Sequence, residues 1–212
     1  MFSIKNYNYI LNCIQTLSKK TTLVVVTKSQ ELSKINLLID ANHFHFCENK
    51  VQEASLKWKN LILKNPQLKL HLIGKLQSNK AKDAFEIFHY IHVLDNEKLA
   101  KIFSSLESNS LKKIKYFVQV NIGNEPQKNG INISKLNQFI KYCVNDLKLN
   151  VIGLMCIPPI EGNPDQHFKN LAELARANNL SELSMGMSND YEIAIKNGAT
   201  FVRVGSKIFS EN

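Results

Sequence analysis

The sequence contains little cysteine, proline or glycine, and its few cysteines are widely spaced. Of the 212 residues, 4 are cysteine, 5 are proline and 8 are glycine. No Cys-x-x-Cys pair occurs, so the sequence predicts neither a zinc site nor a disulfide framework. Reduced thiols are therefore expected at all four positions, which are Cys13, Cys47, Cys143 and Cys156.

Long apolar runs are missing as well. No such run approaches the ~20 residues that a membrane-spanning helix needs. The N-terminal segment has no basic stretch followed by a continuous apolar one, because asparagine and glutamine interrupt it. Together with the reduced thiols, these absences predict a cytoplasmic protein that does not associate with a membrane.

No linker divides the chain. Prolines and glycines are scattered, and no Ser/Gly-rich, single-sign or repetitive tract marks a boundary. Apolar residues make up 44% and charged residues 21% of the chain, as in a folded globular protein. The sequence therefore predicts one domain over residues 1–212, and we expect a monomer.

The net charge of +9 invites a nucleic-acid-binding interpretation. Clustered lysines and arginines would be needed to neutralise phosphates. Here the lysines are spread over nearly every predicted helix, often beside asparagine, which is typical of solvated helix faces. Nucleic-acid binding is therefore kept only as a distant alternative, which the salt dependence of any DNA or RNA binding would test.

Short apolar runs alternate with longer segments of helical periodicity along the whole chain. After an N-terminal helix that carries apolar residues from Ile4 to Leu17 and is predicted to end around Lys19 and Lys20, eight predicted strands alternate with seven predicted helices. Such alternation builds a parallel sheet, and eight units favour a closed (β/α)₈ barrel over an open doubly wound sheet, which is the alternative. Too few residues follow the last strand for an eighth helix, so we expect the N-terminal helix to cover that gap. The predicted strands are 23–26, 43–46, 69–73, 90–94, 115–121, 151–155, 180–185 and 201–204.

Lys28 follows the valine-rich first strand almost directly. An ammonium at the end of a buried strand must be paired, solvated at the rim of the sheet, or partly desolvated so that it can act as a neutral amine nucleophile. The ordinary interpretation is a lysine that extends into water. The nucleophile interpretation gains weight from the last two strands.

Both of those strands lead into turns that are rich in glycine and hydroxyl groups. The first turn contains Gly186 and Ser188, and the second contains Gly205 and Ser206. Glycine lets a backbone approach an anion closely, and free N–H groups with serine hydroxyls can surround it. In a barrel, these turns would lie at the same mouth as Lys28. The pattern suggests a phosphorylated aldehyde, with its phosphate at the turns and its carbonyl carbon at Lys28.

Seven stretches resemble the pyridoxal phosphate homeostasis protein family, in order and with matching spacing. They are VVVTK (24–28), ENKVQE (48–53), HLIGKLQSNK (71–80), VQVNIGNEPQKNGI (118–131), GLMCIPP (153–159), LSMGMSND (183–190) and GATFVRVGSKIF (198–209). The resemblance implies a barrel like the N-terminal domain of alanine racemase, with pyridoxal 5′-phosphate (PLP) bound as a Schiff base on Lys28.

The resemblance also implies the other cofactor-binding residues. The phosphate would be held by Ser188, Gly205 and Ser206, the pyridine nitrogen would face Arg203, and the ring would have Asn49 at its polar edge and Met185 close by. His71 and Lys75 are weaker candidates, because a histidine within a strand is more often a core residue. The family usually has glycine where this chain has Cys47, and the chain also differs at Lys50 and in its 210–212 tail.

An arginine at the ring nitrogen keeps that nitrogen unprotonated and weakens the electron sink that amino-acid chemistry needs. Racemisation also needs a second acid or base on the opposite face of the substrate, which alanine racemase takes from a second domain. The sequence therefore favours a PLP-holding protein of vitamin B6 homeostasis over an enzyme, with apo-forms of PLP-dependent enzymes as possible partners. A weak amino-acid racemase or another PLP-dependent enzyme is the alternative.

Overall fold

The structure is a computed structural model that describes residues 4–210. Eight strands occur within this range, and each is short. They are β1 (Thr22–Val26), β2 (His45–Glu48), β3 (Lys69–Leu72), β4 (Tyr90–Leu94), β5 (Lys115–Gln119), β6 (Val151–Met155), β7 (Glu182–Ser184) and β8 (Phe201–Val204).

Helices precede, separate and follow the strands. They are α1 (Ile4–Leu17), α2 (Leu32–Asp40), α3 (Val51–Lys64), α4 (Ala81–Ile87), α5 (Glu97–Ser108), α6 (Ile133–Lys141), α7 (Pro164–Ala177), α8 (Tyr191–Lys196) and α9 (Ser206–Phe209). Asparagine side chains cap three of them. The Oδ1 atoms of Asn96, Asn132 and Asn163 accept backbone N–H groups at the starts of α5, α6 and α7, as Asx side chains do at helix starts.

Every strand pairs in parallel with the next, and β8 returns to pair with β1. The closed barrel is therefore confirmed, and the open sheet is excluded. In the closing pair, Val24 lies opposite Arg203 and Val25 opposite Val204. This register brings the end of β8 beside the segment that leads to Lys28, so the first and last strands contribute to one mouth.

The barrel is covered on both faces. All five residues of β4 are buried, because one side of the strand faces the barrel interior and the other faces the helices. Outside the barrel wall, the fully buried Trp58 on α3 packs on Phe46 of β2, with ring centroids 4.9 Å apart. Burying aromatic side chains of this size contributes a large share of core stability.

The N-terminal helix completes the outer layer of the barrel beside the four-residue α9, which follows the last strand. Tyr7, Ile10 and Ile14 of α1 are buried, and α1 lies against α8 and the four-residue α9. The predicted role of this helix is confirmed. None of the helices in residues 4–210 has the length and apolarity to cross a membrane. The single-domain assignment of residues 1–212 stays a prediction.

The predicted bounds of several segments differ from those in the structure. The second strand was placed at 43–46, whereas β2 begins at His45 and runs to Glu48. His43 folds back instead, and its Nε2 lies 2.7 Å from the carbonyl oxygen of His45. The predicted helix that precedes the sixth strand ends as an α-helix at Lys141 and continues as a π-helical turn, Tyr142–Asp146. The shortest strand, β7, covers only the middle of the predicted 180–185 run.

Candidate functional site

A cavity of about 940 Å³ opens where the strands of the barrel end. Five of the seven predicted cofactor-binding residues line it: Lys28, Ser188, Arg203, Gly205 and Ser206. They come from the ends of β1, β7 and β8, which lie side by side in the closed barrel. The topology thus brings together an amine, a guanidinium and two hydroxyl-bearing turns that are far apart in sequence.

Lys28 lies in the loop after β1, and its side chain is exposed. This lysine is two residues beyond Val26, the last residue of β1. The following residue, Ser29, has a positive φ of 58°, which is uncommon for a residue other than glycine. The loop is thus sharply bent at Lys28 and needs contacts that fix it.

A buried acidic cluster provides those contacts. The Glu48 Oε1 atom accepts hydrogen bonds from Thr27 Oγ1 at 2.8 Å, Lys57 Nζ at 2.9 Å and Trp58 Nε1 at 2.9 Å. Glu53 Oε1 accepts from Lys57 Nζ at 2.9 Å. Lys57 also donates to the Thr27 carbonyl oxygen at 2.8 Å. The backbone immediately before Lys28 is therefore bound to α3.

The backbone on the other side of Lys28 is held by the same cluster. Glu53 Oε1 accepts the Ser29 N–H at 2.7 Å. Although desolvation acts in the opposite direction, the hydrogen bonds from Ser29 and Lys57 lower the pKa of Glu53. The ionised form of Glu53, which accepts the Ser29 N–H and so fixes the Lys28 loop, is thus stabilised. The amine of Lys28 is presented by a loop anchored at both flanking residues.

The two glycine-containing turns are also closely coupled. Gly186 has a φ of 91°, and a Cβ there would lie 2.5 Å from the Cβ of Ala194, so only glycine fits this turn. At Gly205, a Cβ would lie 2.9 Å from the Cβ of Val26. The Gly205 N–H donates to Ser188 Oγ at 3.4 Å, which links the two turns. Their hydroxyl and backbone groups therefore face one region of the cavity.

Arg203 is a buried cation at the floor of the cavity, with 2% of its surface exposed. Its Nη1 donates to Ser184 Oγ at 2.6 Å and its Nη2 to the Cys156 carbonyl oxygen at 3.0 Å. Desolvation lowers the pKa of the guanidinium. Within residues 4–210, no carboxylate lies within ion-pairing distance of it. A buried charge without a counterion favours an anionic ligand in the adjoining cavity.

The two remaining cofactor-binding candidates do not line this cavity. Asn49 is half-buried at the end of β2, and its Oδ1 is buried without a hydrogen-bond partner within the described range. Met185 is fully buried. Their roles stay predictions, although the unpartnered amide oxygen of Asn49 is a feature that a ligand would explain.

The weaker candidates occupy other environments. His71 is fully buried and contacts two further histidines, so it is a core residue rather than a cavity residue. Lys75 is exposed outside the cavity. Cys47 is fully buried, and burial raises the pKa of its thiol, which keeps it neutral.

Several cavity residues were not singled out from the sequence. Lys128 lines the opposite wall, donates to the Pro158 carbonyl oxygen at 3.2 Å and pairs with Glu125 at 2.6 Å. Asp190 accepts the Met187 N–H at 2.6 Å and closes the first turn. Lys128 and Asp190 lie within stretches that carry the family resemblance, which was the signal available for them. The Lys57 contacts had no such signal, because α3 carries several lysines that look alike.

Several known proteins are similar to this chain in sequence. The family described as the alanine racemase N-terminal domain matches residues 5–212. The pyridoxal phosphate homeostasis protein of Aquifex aeolicus (strain VF5) is 38% identical over 175 residues, covering 77% of this chain and 75% of the relative. The protein of the same name from Escherichia coli (strain K12) is 33% identical over 200 residues, covering 90% and 86%.

A solved structure gives the same result at the level of the fold. PipY of Synechococcus elongatus PCC7942, solved without PLP, is 31% identical and superposes with a TM-score of 0.88, covering 97% of this chain and 99% of PipY. PipY with PLP bound has a TM-score of 0.86, also at 31% identity, covering 97% and 100%. The chain therefore belongs to the alanine racemase N-terminal domain family and, within it, to the pyridoxal phosphate homeostasis proteins.

Proposed function

We propose that this protein binds PLP in the mouth cavity, with Lys28 as the covalent anchor, and serves PLP homeostasis. The observation that carries the proposal is the convergence of Lys28, Ser188, Arg203, Gly205 and Ser206 on one cavity. PipY, which shares the fold, has been solved with PLP bound. The curated relatives carry the name pyridoxal phosphate homeostasis protein.

The residues present fit the groups of the cofactor. Ser188 and the turn at Gly205 and Ser206 supply hydroxyl and N–H donors for a phosphate. Lys28 presents an exposed amine for an aldehyde, and Arg203 supplies a buried charge without a carboxylate partner. When bound, PLP supplies an aldehyde that reacts with amines and a pyridine ring that can withdraw electrons.

The same residues favour holding the cofactor over using it for turnover. A cationic Arg203 opposes protonation of the pyridine nitrogen, so the ring would be a weak electron sink. Apart from Lys28 and Arg203, the titratable residues among the described cavity lining are Lys128 and Asp190, and both are engaged with other groups. Racemisation needs an acid or base that is free on the second face of a substrate. We therefore favour a PLP carrier over the weak racemase.

The test of the anchor is reduction of the PLP-loaded protein with borohydride, followed by peptide mass spectrometry. We expect the modification on Lys28. Lys28→Ala should lose the absorption band near the visible edge completely while retaining weaker PLP binding, because the phosphate contacts remain. The matched control is Lys50→Ala, an exposed lysine at the end of β2. Modification at Lys75 or at no lysine would overturn the assignment.

The test of the carrier role is α-hydrogen exchange of several amino acids in deuterated water with the loaded protein. Exchange at rates near the typical enzymatic ~1–10³ s⁻¹ would favour an enzyme. Transfer to an apo-enzyme of PLP chemistry is the partner interaction we propose, with the protein acting as a monomer. Faster reactivation of such an apo-enzyme by loaded protein than by the same amount of free PLP would support direct transfer, and equal rates would contradict it.

A further inference from the structure

A continuous chain of polar side chains, buried except for the partly exposed His45 at its far end, runs from Arg203 into the barrel. Ser184 Oγ lies 2.7 Å from His92 Nδ1, and His92 Nε2 lies 2.8 Å from His71 Nδ1. His71 Nε2 in turn lies 3.0 Å from His45 Nδ1. With the 2.6 Å contact from Arg203 Nη1 to Ser184 Oγ, four successive contacts join the cavity floor to the start of β2. The proposed binding of PLP assigns no role to this series of hydrogen-bonded side chains.

The imidazole rings in this chain are fixed by aromatic neighbours. His71 stacks on Tyr90, with ring centroids 4.1 Å apart and planes 9° from parallel. His92 stacks on Phe117 at 4.3 Å and 27°. In His71 and in His92, both ring nitrogens form hydrogen bonds with neighbouring side chains, so rotation of either ring would break two hydrogen bonds at once. The chain is therefore a built arrangement rather than a loose cluster of histidines.

The inner histidines are neutral. Burial lowers the pKa of His71 and of His92 well below the ordinary value, and the neighbouring His92 lowers that of His71 further. Arg203 also lowers the pKa of His92. At the outer end, desolvation followed by Lys69 and Lys115 lowers the pKa of His45 to about 4. Near neutral pH each imidazole thus has one N–H donor and one acceptor nitrogen.

That constraint fixes the direction of every hydrogen bond once Arg203 is considered. A guanidinium can only donate, so Ser184 Oγ accepts from it and has its own proton left for His92 Nδ1. His92 must then carry its proton on Nε2 and donate to His71 Nδ1. His71 likewise carries its proton on Nε2 and donates to His45 Nδ1. The reverse direction would leave the Ser184 proton without an acceptor among the described residues.

We propose that Ser184, His92, His71 and His45 form a positioning relay that holds Arg203 in place as an uncompensated cation. Every acceptor in the relay faces Arg203 and every proton points away from it, so aligned dipoles stabilise the charge without neutralising it. A carboxylate in the same place would cancel the field that opposes protonation of a pyridine nitrogen. The relay therefore rests on the proposed function, and it explains how the ring nitrogen of PLP would be kept unprotonated.

A metal-binding role for the histidines has no support here. Among residues 4–210, no group of three or more histidine, cysteine, aspartate or glutamate side chains could hold a metal ion. The nitrogens of His71 and His92 also face one another in pairs rather than converging on a common point. Hydrogen bonding accounts for each of these nitrogens.

The first test needs no cofactor. Nitrogen-15 NMR of the wild-type protein without PLP distinguishes protonated from unprotonated ring nitrogens. We expect the Nε2–H tautomer at His45, His71 and His92. An Nδ1–H tautomer at His71 or His92, or a charged imidazole at neutral pH, would overturn the relay. This result stands independently of whether PLP binds, so failure of the relay and failure of the proposed function are distinguishable.

The second test removes the link between Arg203 and the histidines. Ser184→Ala should mix the tautomers of His92 and weaken PLP binding by roughly tenfold to a hundredfold, because hydrogen bonds to charged groups contribute about 1.5–3 kcal/mol. The bound-PLP spectrum should also shift as the ring nitrogen becomes easier to protonate. Ser184→Thr retains the hydroxyl and should restore both properties.

The matched control is His89→Gln. His89 is a half-buried histidine whose Nδ1 accepts the Leu70 N–H, and it takes no part in the relay. This variant should leave the His92 tautomer, the spectrum and PLP affinity unchanged. If Ser184→Ala changes none of them either, or if both variants change them equally, the positioning role is overturned.

Discussion

Lys57 and Arg203 are two largely buried cations in one barrel, and their surroundings are opposite. Lys57 Nζ contacts two carboxylates and a carbonyl oxygen, whereas the described contacts of Arg203 are a hydroxyl and a carbonyl oxygen. The charge of Lys57 is thus paired directly with carboxylates, while that of Arg203 has none within ion-pairing distance among the described residues, and Asp190 acts on it only from farther away. Lys57 fixes the Lys28 loop and is a structural residue. The positive charge of Arg203 exerts an electric field on any ligand in the cavity.

The stability of the two regions should differ most at acidic pH, where the histidines next to Arg203 should lose their contribution to the free energy of unfolding. The pKa values of His71 and His92 are depressed by folding, so below the unfolded value near 6.5 the unfolded chain binds more protons than the folded one. Their contribution is fully present above that pH and is lost as the pH falls. The two fully buried histidines together should cost roughly 3 kcal/mol per pH unit.

Urea unfolding at pH 7.5, 6.5, 5.5 and 5.0 measures this slope. Folding also lowers the pKa of His43, His45 and His89 to about 4, mainly by desolvation, so the slope of the whole protein is steeper than the share of His71 and His92. His92→Gln removes one of the two fully buried groups, so its slope should be shallower than the wild-type slope by about 1.4 kcal/mol per pH unit. A free energy of unfolding that stays flat between pH 6.5 and 5.0 would mean that these histidines are not buried neutral.

On the other side of the comparison, Lys57→Met should destabilise the fold by about 3–5 kcal/mol, because it leaves the fully buried Glu48 carboxylate without its cation. Lys59→Met on the exposed face of the same helix is the matched control and should change the free energy of unfolding by no more than about 0.5 kcal/mol. Both are measured by urea unfolding at pH 7.5. Equal effects of the two variants would show that Lys57 is an ordinary surface lysine.

The sequence predicts the barrel but not this cluster, and the reason is physical. Alternation of apolar runs with helical periodicity is a local signal, and it suffices for eight parallel strands. The second strand was misplaced because 43–46 alternates polar and apolar residues well, whereas the true strand ends in a buried Glu48. A buried carboxylate contradicts the general preference of charges for water, and only its partners on α3 and at Thr27 explain it.

The candidate site divides in the same way. Lys28 and the two glycine turns can be recognised in the sequence, because a charge or a glycine closely follows an apolar run. The relay cannot be recognised in the sequence, because its contacts join residues that are far apart. The separations are 26 residues for His45 and His71, 21 for His71 and His92, and 92 for His92 and Ser184. Those contacts exist only once the barrel closes with a particular register. The exposure of Lys28 likewise depends on the loop beyond β1.

Arg203→Met should have a smaller effect on stability than Lys57→Met, which is the sharpest contrast between the two cations. No carboxylate is left behind, so the loss should be about 1–2 kcal/mol, from two polar groups that lose a donor. PLP affinity, in contrast, should fall by at least about tenfold, since a charge-assisted contact to the ligand is removed. Urea unfolding and spectroscopic titration measure the two quantities. A stability loss as large as that of Lys57→Met would mean that the protein itself compensates the charge of Arg203.

The smallest stability effect is expected for Glu53→Gln, which weakens the anchor of the Lys28 loop without removing it. The glutamine oxygen can still accept the Ser29 N–H, and the Glu53 side chain is 30% exposed, so the change in unfolding free energy should stay below about 1 kcal/mol. The loop would nevertheless lose a charge-assisted hydrogen bond beside Lys28, and such bonds are roughly twice as strong as neutral ones. The rate at which PLP becomes borohydride-reducible on Lys28 should therefore fall severalfold at unchanged stability. The matched control is Glu97→Gln on α5, which also forms an i,i+4 pair with a lysine, at 3.8 Å and at an exposed site that does not line the cavity. A capture rate that is equal in the two variants would mean that the Glu53 contact does not position Lys28, and that Glu48 and Lys57 fix the loop from its other side alone.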